Sequence, residues 1–433
     1  MKLKFLLVAL SLCLCRPVVA GTQEVNLNDP FFAKFHPVAA PRPKSPALQA
    51  GSRLAICGDS ITEQKRYSRI METYITVALP ELGVSTRQFG WGGEQASGFL
   101  ARMTNDVLRF KPTVATTCYG MNDHRYRPYE ESIGRAYESN TTAIVLAFKA
   151  VGTHVIVGSP GCMGLKQPPW KGITGTSEER NLSLCTLRNI DIQIAMAEHV
   201  GFADVFWPMY KAQFQALQQW GTNYALAGKD SVHPGWAGHL IMAYAFLKAL
   251  DVPGDIGTFT VDLKSDKAKV SAGHELISCK DGTITIKSSR YPFCATGATD
   301  DDNSIRSGMA LVPFNQELNR LILIAKGGKA EHYKVTWGGA SRDYTAGQLK
   351  HGVNLAEDFP VNPFSDAFAG VDEAVAKKQA YETKQIKELF HGKAGKADME
   401  KTAADSEQQR AALVAAIQAA FVPVTHTISI TQE

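Results

Sequence analysis

Short apolar runs alternate with long amphipathic stretches over the first half of the chain. "RLAIC" at 53–57, "TVATTCY" at 113–119, "THVIVGS" at 153–159 and "ADVFW" at 203–207 read as strands. Between them Thr62–Leu79, Ala96–Phe110, Glu130–Val151, Glu178–Val200 and Gly235–Leu250 carry the three-to-four-residue periodicity of helices. Strands that are apolar on both sides, separated by helices, predict a parallel sheet covered on both faces. The pattern changes near Pro253. "TFTVDL", "AKVSAG", "HELISC", "TITIKS", "RLILIAK" and "HYKVTWG" follow, split by Gly, Asp and Ser turns. They predict a small antiparallel, sandwich-like β-domain. Beyond about Thr345 two helices rich in Ala, Glu and Lys precede a final strand, "PVTHTISI".

The expected organisation is therefore a leader at 1–20, an α/β domain at 21–252 with an arm at 21–50, a β-domain at 253–345, and a helical region at 346–433. The stretch 392–402 reads as a linker. In the leader, Lys2 and Lys4 precede an apolar run and Val18-Val19-Ala20. This is the form of a secretory signal peptide, too short to span a bilayer, with cleavage expected after Ala20. Cys13 and Cys15 each follow a leucine, which argues against a lipoprotein anchor. The mature protein is expected to be exported, without integral membrane association.

Composition adds little. The 433 residues are 45% hydrophobic and 20% charged, with a net charge of +4. Nothing here points to nucleic acid as a partner. No His/Cys/Asp/Glu set has metal-ligand spacing, so neither metal nor cofactor is expected. In an oxidising compartment Cys279–Cys294 and Cys162–Cys185 are candidate disulfides, while Cys57 and Cys118 sit in apolar strands as small hydrophobes.

Four segments bear chemistry. In "GDSITEQ", Ser60 stands where a strand meets a helix. Read alone it is a helix cap. The same position aims backbone N–H groups at any oxyanion formed beside it. In "DSVHPGWAGH", Asp230 and His233 are spaced so that the carboxylate reaches Nδ1 and leaves Nε2 free to take a proton. The "FGWGGEQ" turn offers Gly93 as an N–H donor, chosen over Gly92 for its place before Glu94-Gln95. "YGMNDHR" puts the Asn122 amide at the edge of the sheet. Each segment also has an ordinary reading as a turn.

Taken in order, Gly-Asp-Ser, the Gly-Gly turn, Gly-x-Asn-Asp and Asp-x-x-His-Pro resemble the SGNH hydrolases, or GDSL-type esterases, over roughly residues 53–250. The resemblance implies a three-layer α/β/α flavodoxin-like fold and serine-ester hydrolysis. It implies Ser60 as nucleophile, His233 as general base, Asp230 as its orienting carboxylate, and an oxyanion hole from the Ser60 and Gly93 N–H groups and Asn122. The first block lacks the leucine of the GDSL name, and the second carries Trp91 and an extra glycine. Trp91, Asp123 and His124 are candidate substrate contacts, though Asp123 also reads as a brace and His124 as solvent-facing. Trp91, Trp170, Trp207 and Trp236 read as core residues or as a platform for sugar rings. The Gly/Pro-rich loop 162–175 reads as a rim for substrate selection.

The expected activity is hydrolysis of small acyl esters, acetyl first, with an acylated carbohydrate as the leading substrate. A lipid or aryl esterase (or lysophospholipase) and a catalytically silent glycan-binding protein are the rivals. The residues leave the acyl group, the alcohol and the oligomeric state open.

Overall fold

The computed structural model describes residues 30–433, so the expected leader lies outside the described residues. Five strands build the first sheet: β1 (Arg53–Gly58), β2 (Ser85–Gly90), β3 (Val114–Cys118), β4 (His154–Gly158) and β5 (Gly201–Ala203). They run parallel in the order β2-β1-β3-β4-β5. This is the flavodoxin-like order, whose direction reverses between β1 and β3.

Side chains alternate across each strand, so one sequence supplies two cores. Leu54 and Ile56 join the helices Tyr67–Ala78 and Trp236–Ala249 on one face. Ala55 and Cys57 join the helices Ala96–Asp106 and Glu131–Ala150 on the other. The arm contributes Phe32 and Phe35, which are buried against Trp207 and Tyr210.

The run "ADVFW" departs from expectation. Its strand ends at Ala203, and Phe206 opens the helix Phe206–Trp220. Val205, Phe206 and Trp207 are buried at the start of that helix. A short apolar run is compatible with either element, and here the buried helix wins. The Ser159 hydroxyl takes the N–H groups of Val205 and Phe206 at 3.0 and 3.1 Å.

Two further sheets follow. β6 (Asp255–Asp262), β7 (Lys267–Val270), β8 (His274–Lys280), β9 (Thr283–Ser288), β10 (Arg320–Lys326), β11 (His332–Trp337), β12 (Ala340–Thr345), β13 (Val353–Asn354) and β14 (Val424–Gln432) form them. Their orders are β13-β10-β6-β7 and β12-β11-β14-β9-β8. Every pairing is antiparallel except β6–β10, which is parallel. The last strand, β14, lies between β11 and β9.

The helices Ser365–Lys384 and Met399–Ala420 cover the open edge of the parallel sheet at β2. An edge strand presents unpaired backbone groups, which cost free energy when buried. Here side chains satisfy them. Lys378 Nζ and Arg410 Nη2 donate to the Thr86 carbonyl at 2.6 and 2.7 Å, and Gln88 N–H donates to Glu382 Oε2 at 3.2 Å. Lys378 also pairs with Glu72 (3.0 Å) and Glu382 (2.7 Å), and Arg410 with Glu382 (2.7 Å).

The cysteine expectation is corrected. All six cysteines among the described residues are free. Cys279 lies on β8 opposite Ile284, while Cys294 is buried with its Sγ near Pro292 O and Asn362 Oδ1. Cys185 donates to Phe35 O at 3.6 Å, and Cys162 is buried among apolar groups. In each expected pair the two thiols are committed to different surroundings. No helix among the described residues is long and apolar enough to cross a membrane.

Candidate active site

The site forms at the carboxyl ends of β1, β2 and β3, where the strand order reverses. β1 ends in Gly58 and β2 in Gly90, which face each other across the ladder. A Cβ on Gly58 would lie 2.1 Å from Thr62 Oγ1, and one on Gly90 2.1 Å from Glu63 N. Two bare backbones therefore let the short helix Ser60–Glu63 settle onto both strand ends.

The cap of this helix is Asp59, not Ser60. Asp59 Oδ1 accepts the Ile61 N–H at 2.9 Å. Ser60 is the first helical residue, so its hydroxyl is not used in capping. Burial pushes the Asp59 carboxyl up to about 7; the Ile61 N–H opposes this, and Asp123 and Glu94 add to it.

Ser60 Oγ lies 2.8 Å from His233 Nε2, and His233 Nδ1 lies 2.7 Å from Asp230 Oδ2. The other Asp230 oxygen accepts the N–H groups of Val232 and His233 at 3.0 and 2.9 Å. The carboxylate is thus fixed by its own turn. Partial burial raises its pKa, but the N–H bonds and the His233 ring outweigh that and hold it below the ordinary value. Ser231, between them, has φ +66, the left-handed conformation that a three-residue Asp–His approach requires here.

Asn122 follows β3. Its Nδ2 reaches Glu94 O at 3.1 Å and Asp59 Oδ2 at 3.3 Å. Its Oδ1 accepts the Tyr126 hydroxyl at 2.9 Å, which fixes which way the amide faces. In the glycine turn the Gly92 N–H is taken by Glu63 Oε2. The Gly93 N–H, at φ +72, has no hydrogen-bond partner among the described residues, and nothing lies within 4 Å of where a Cβ would stand. Ser60, Glu63, Gln64, Lys65, Asp230 and His233 line one open depression of about 420 Å³.

Three candidate contacts are placed elsewhere. Asp123 is buried and braces the loop, accepting Ala96 N–H (3.0 Å) and Gly120 N–H (2.9 Å); burial raises its pKa to about 6. His124 does not face solvent or substrate. It is fully buried, its Nδ1 lies 2.5 Å from Met121 O, and burial lowers its pKa to about 4. Trp91 is no open platform: Arg102 and Lys387 lie 5.1 Å from its ring, and His391 meets it edge-on at 5.0 Å. Trp207 is core, Trp236 is flanked by Arg66 and Arg69, and Trp170 remains partly exposed on the 162–175 loop against Tyr126.

Sequence reasoning missed Tyr126, Glu63 and the buried pair under the glycine turn. Arg102 binds both Glu94 oxygens at 2.6 and 2.7 Å and the Phe89 carbonyl at 2.8 Å. Only the four-residue spacing of Arg102 and Asp106 was a local signal.

Fold and site define a class: a flavodoxin-like α/β domain with an aligned serine, histidine and aspartate at its switch point. A model of the GDSL-like lipase/acylhydrolase family matches residues 56–241. The match spans the domain that carries the site, and this domain is that of a carboxylic ester hydrolase. An acetylxylan esterase of Geobacillus stearothermophilus is 25% identical over 229 residues, covering 47% of this chain and 95% of its own length. A crystal structure of an acetylxylan esterase from that organism covers 48% of this chain and 97% of its own, at 25% identity and a TM-score of 0.39. A gut microbial diltiazem-metabolizing enzyme is 20% identical with a TM-score of 0.71, covering 90% of this chain and 100% of its own. That likeness concerns the fold and reaches well beyond the 56–241 domain.

Proposed function

We propose that the protein is an exported serine esterase that removes small acyl groups, acetyl first, from a polysaccharide or glycoside. The observation that carries this is the unbroken Ser60–His233–Asp230 chain, with contacts of 2.8 and 2.7 Å. A serine hydroxyl is a weak nucleophile until an adjacent base takes its proton. Ser60 Oγ attacks the ester carbonyl while His233 Nε2 accepts that proton. The carbonyl π electrons move to oxygen, which the N–H groups of Ser60 and Gly93 receive, joined by the Asn122 amide as it exchanges its 3.3 Å contact to Asp59 for the oxyanion. Collapse expels the alcohol, protonated by His233, and leaves an acyl-Ser60. Water, deprotonated by His233, repeats the sequence and releases the acid. Asp230 holds the tautomer that leaves Nε2 unprotonated and stabilises the imidazolium.

The small acyl group is supported by the lining of the depression. Ser60, Glu63, Gln64, Lys65, Asp230 and His233 are all polar, a lining that favours a short acyl group over a long apolar chain. The carbohydrate alcohol is supported by the acetylxylan esterase likeness and by Trp170, which is 37% exposed. Export is supported by the lysines and apolar run of the first twenty residues.

The test is acetate release from p-nitrophenyl acetate and from acetylated xylan, for wild type and Ser60→Ala. Turnover that disappears in the variant is expected. Equal rates would refute the nucleophile, and cleavage restricted to long acyl chains would refute the acetyl reading.

A further inference from the structure

Glu63 ends the short helix that Ser60 begins, and its carboxylate has two partners. One oxygen accepts the Gly92 N–H. The other lies 2.7 Å from Lys387 Nζ, 324 residues away in the C-terminal region. The same lysine sits 5.1 Å from the Trp91 ring, beside that glycine turn.

We propose that Lys387 is a positioning residue for the oxyanion turn, acting through Glu63. The proposal rests on the serine-esterase reading. Glu63 lines the depression with Ser60, so its charge lies close to the ester carbonyl that Ser60 attacks. An unpaired carboxylate there opposes the transition state. Lys387 neutralises it without removing its second job. That job is to hold the Gly92 N–H and with it the turn in which the neighbouring Gly93 N–H stays free of a protein partner among the described residues.

The backbone around Lys387 supports this. Gln385–Phe390 is π-helical, closed by His391 N–H to Ile386 O at 3.2 Å. Such turns are rare and recur at functional sites, because the wider winding re-aims the side chains that follow. This one presents Lys387 to Glu63 and His391 to both Trp91 and Asp106, the last at 2.8 Å. The ion pair is partly exposed, with side chains 24% and 32% accessible. A bland surface pair of this kind would leave the rate untouched.

The experiment measures kcat and KM for p-nitrophenyl acetate in wild type, Lys387→Met, Glu63→Gln and the double variant, with Ser60→Ala as background. Lys387→Met is expected to lower kcat about tenfold with KM little changed. The double variant is expected to recover most of that loss, since the side-chain amide introduced by Glu63→Gln still accepts the Gly92 N–H but carries no charge. An unchanged kcat in Lys387→Met, or a loss undiminished in the double variant, overturns the proposal. Should Lys387→Met fail to fold by circular dichroism, Glu63→Gln and the double variant are compared; a large rate difference between them overturns it. A wild type without Ser60-dependent turnover overturns the esterase reading and this one together. An active wild type with an equally active Lys387→Met overturns this one alone.

Discussion

Ser60 Oγ and His233 Nε2 lie 2.8 Å apart although 173 residues separate them in the chain. The sheet brings the end of β1 to the turn before the helix Trp236–Ala249, and the Asp230 turn then aims the imidazole. On the proposed mechanism, turnover depends on how firmly these distant groups are held.

Asp230→Asn keeps the shape of the turn but removes the acceptor that sets the His233 tautomer. With p-nitrophenyl acetate, kcat should fall about 10³–10⁴-fold while the melting temperature changes little. A fall of less than about tenfold would show that Asp230 does not orient the base.

Tyr126→Phe removes the donor to Asn122 Oδ1 and frees the amide to turn over. The expected loss in kcat is about tenfold, smaller than the roughly 10²–10³-fold loss for Asn122→Ala. Steady-state kinetics on both variants checks the ranking. A Tyr126→Phe enzyme as fast as wild type would separate the tyrosine from the oxyanion site.

Lys378 is almost inaccessible, bound to Glu72, Glu382 and the Thr86 carbonyl. Lys378→Met leaves two buried carboxylates with less compensation and an edge carbonyl with one donor fewer. Breaking such a network costs about 3–5 kcal/mol. Urea unfolding should register this as a lower midpoint with little change in the slope.

His124 is buried neutral, with its pKa lowered to about 4 from 6.5. As pH falls between those values, the unfolded chain binds the proton before the folded one. Stability is therefore lost from about pH 6.5 down to about pH 4, by about 3 kcal/mol for this group. His426, lowered to about 3, acts in the same direction. His124→Asn keeps a donor where Nδ1–H stands and does not titrate. Denaturant melts at pH 7, 5.5 and 4.5 should show a shallower acid loss in the variant, and parallel curves would contradict the assignment.

The legible parts of the sequence were those whose cause is local. Leu54 and Ile56 alternate with Ala55 and Cys57, and that period of two implies two covered faces wherever the strand is placed. The Asp230–His233 spacing likewise foretold a carboxylate within reach of Nδ1, because one tight turn closes that distance. "ADVFW" was misread for the same reason: an apolar run does not say whether strand or helix will bury it.

Some choices were beyond any local signal. In "GDS" either Asp59 or Ser60 could cap the helix. The cap fell to Asp59 because its carboxyl sits buried between the Ile61 N–H and the Asn122 amide. Between Gly92 and Gly93 the pattern offered no physical criterion; Glu63 supplies one by occupying the Gly92 N–H. The expected thiol pairs failed because nearness in sequence does not determine which neighbours each side chain meets: Cys279 sits partly exposed on β8, while Cys294, Cys162 and Cys185 are buried in separate surroundings. The sequence by itself determined most of the strands and helices and the chemical types gathered near Ser60, since period, turn spacing and side-chain reach act over a few residues. The tertiary structure alone decided which N–H is free, which way Asn122 faces, and that Lys387 meets Glu63. Those depend on contacts between segments far apart in the chain, where packing and the pairing of buried charge outweigh local preference.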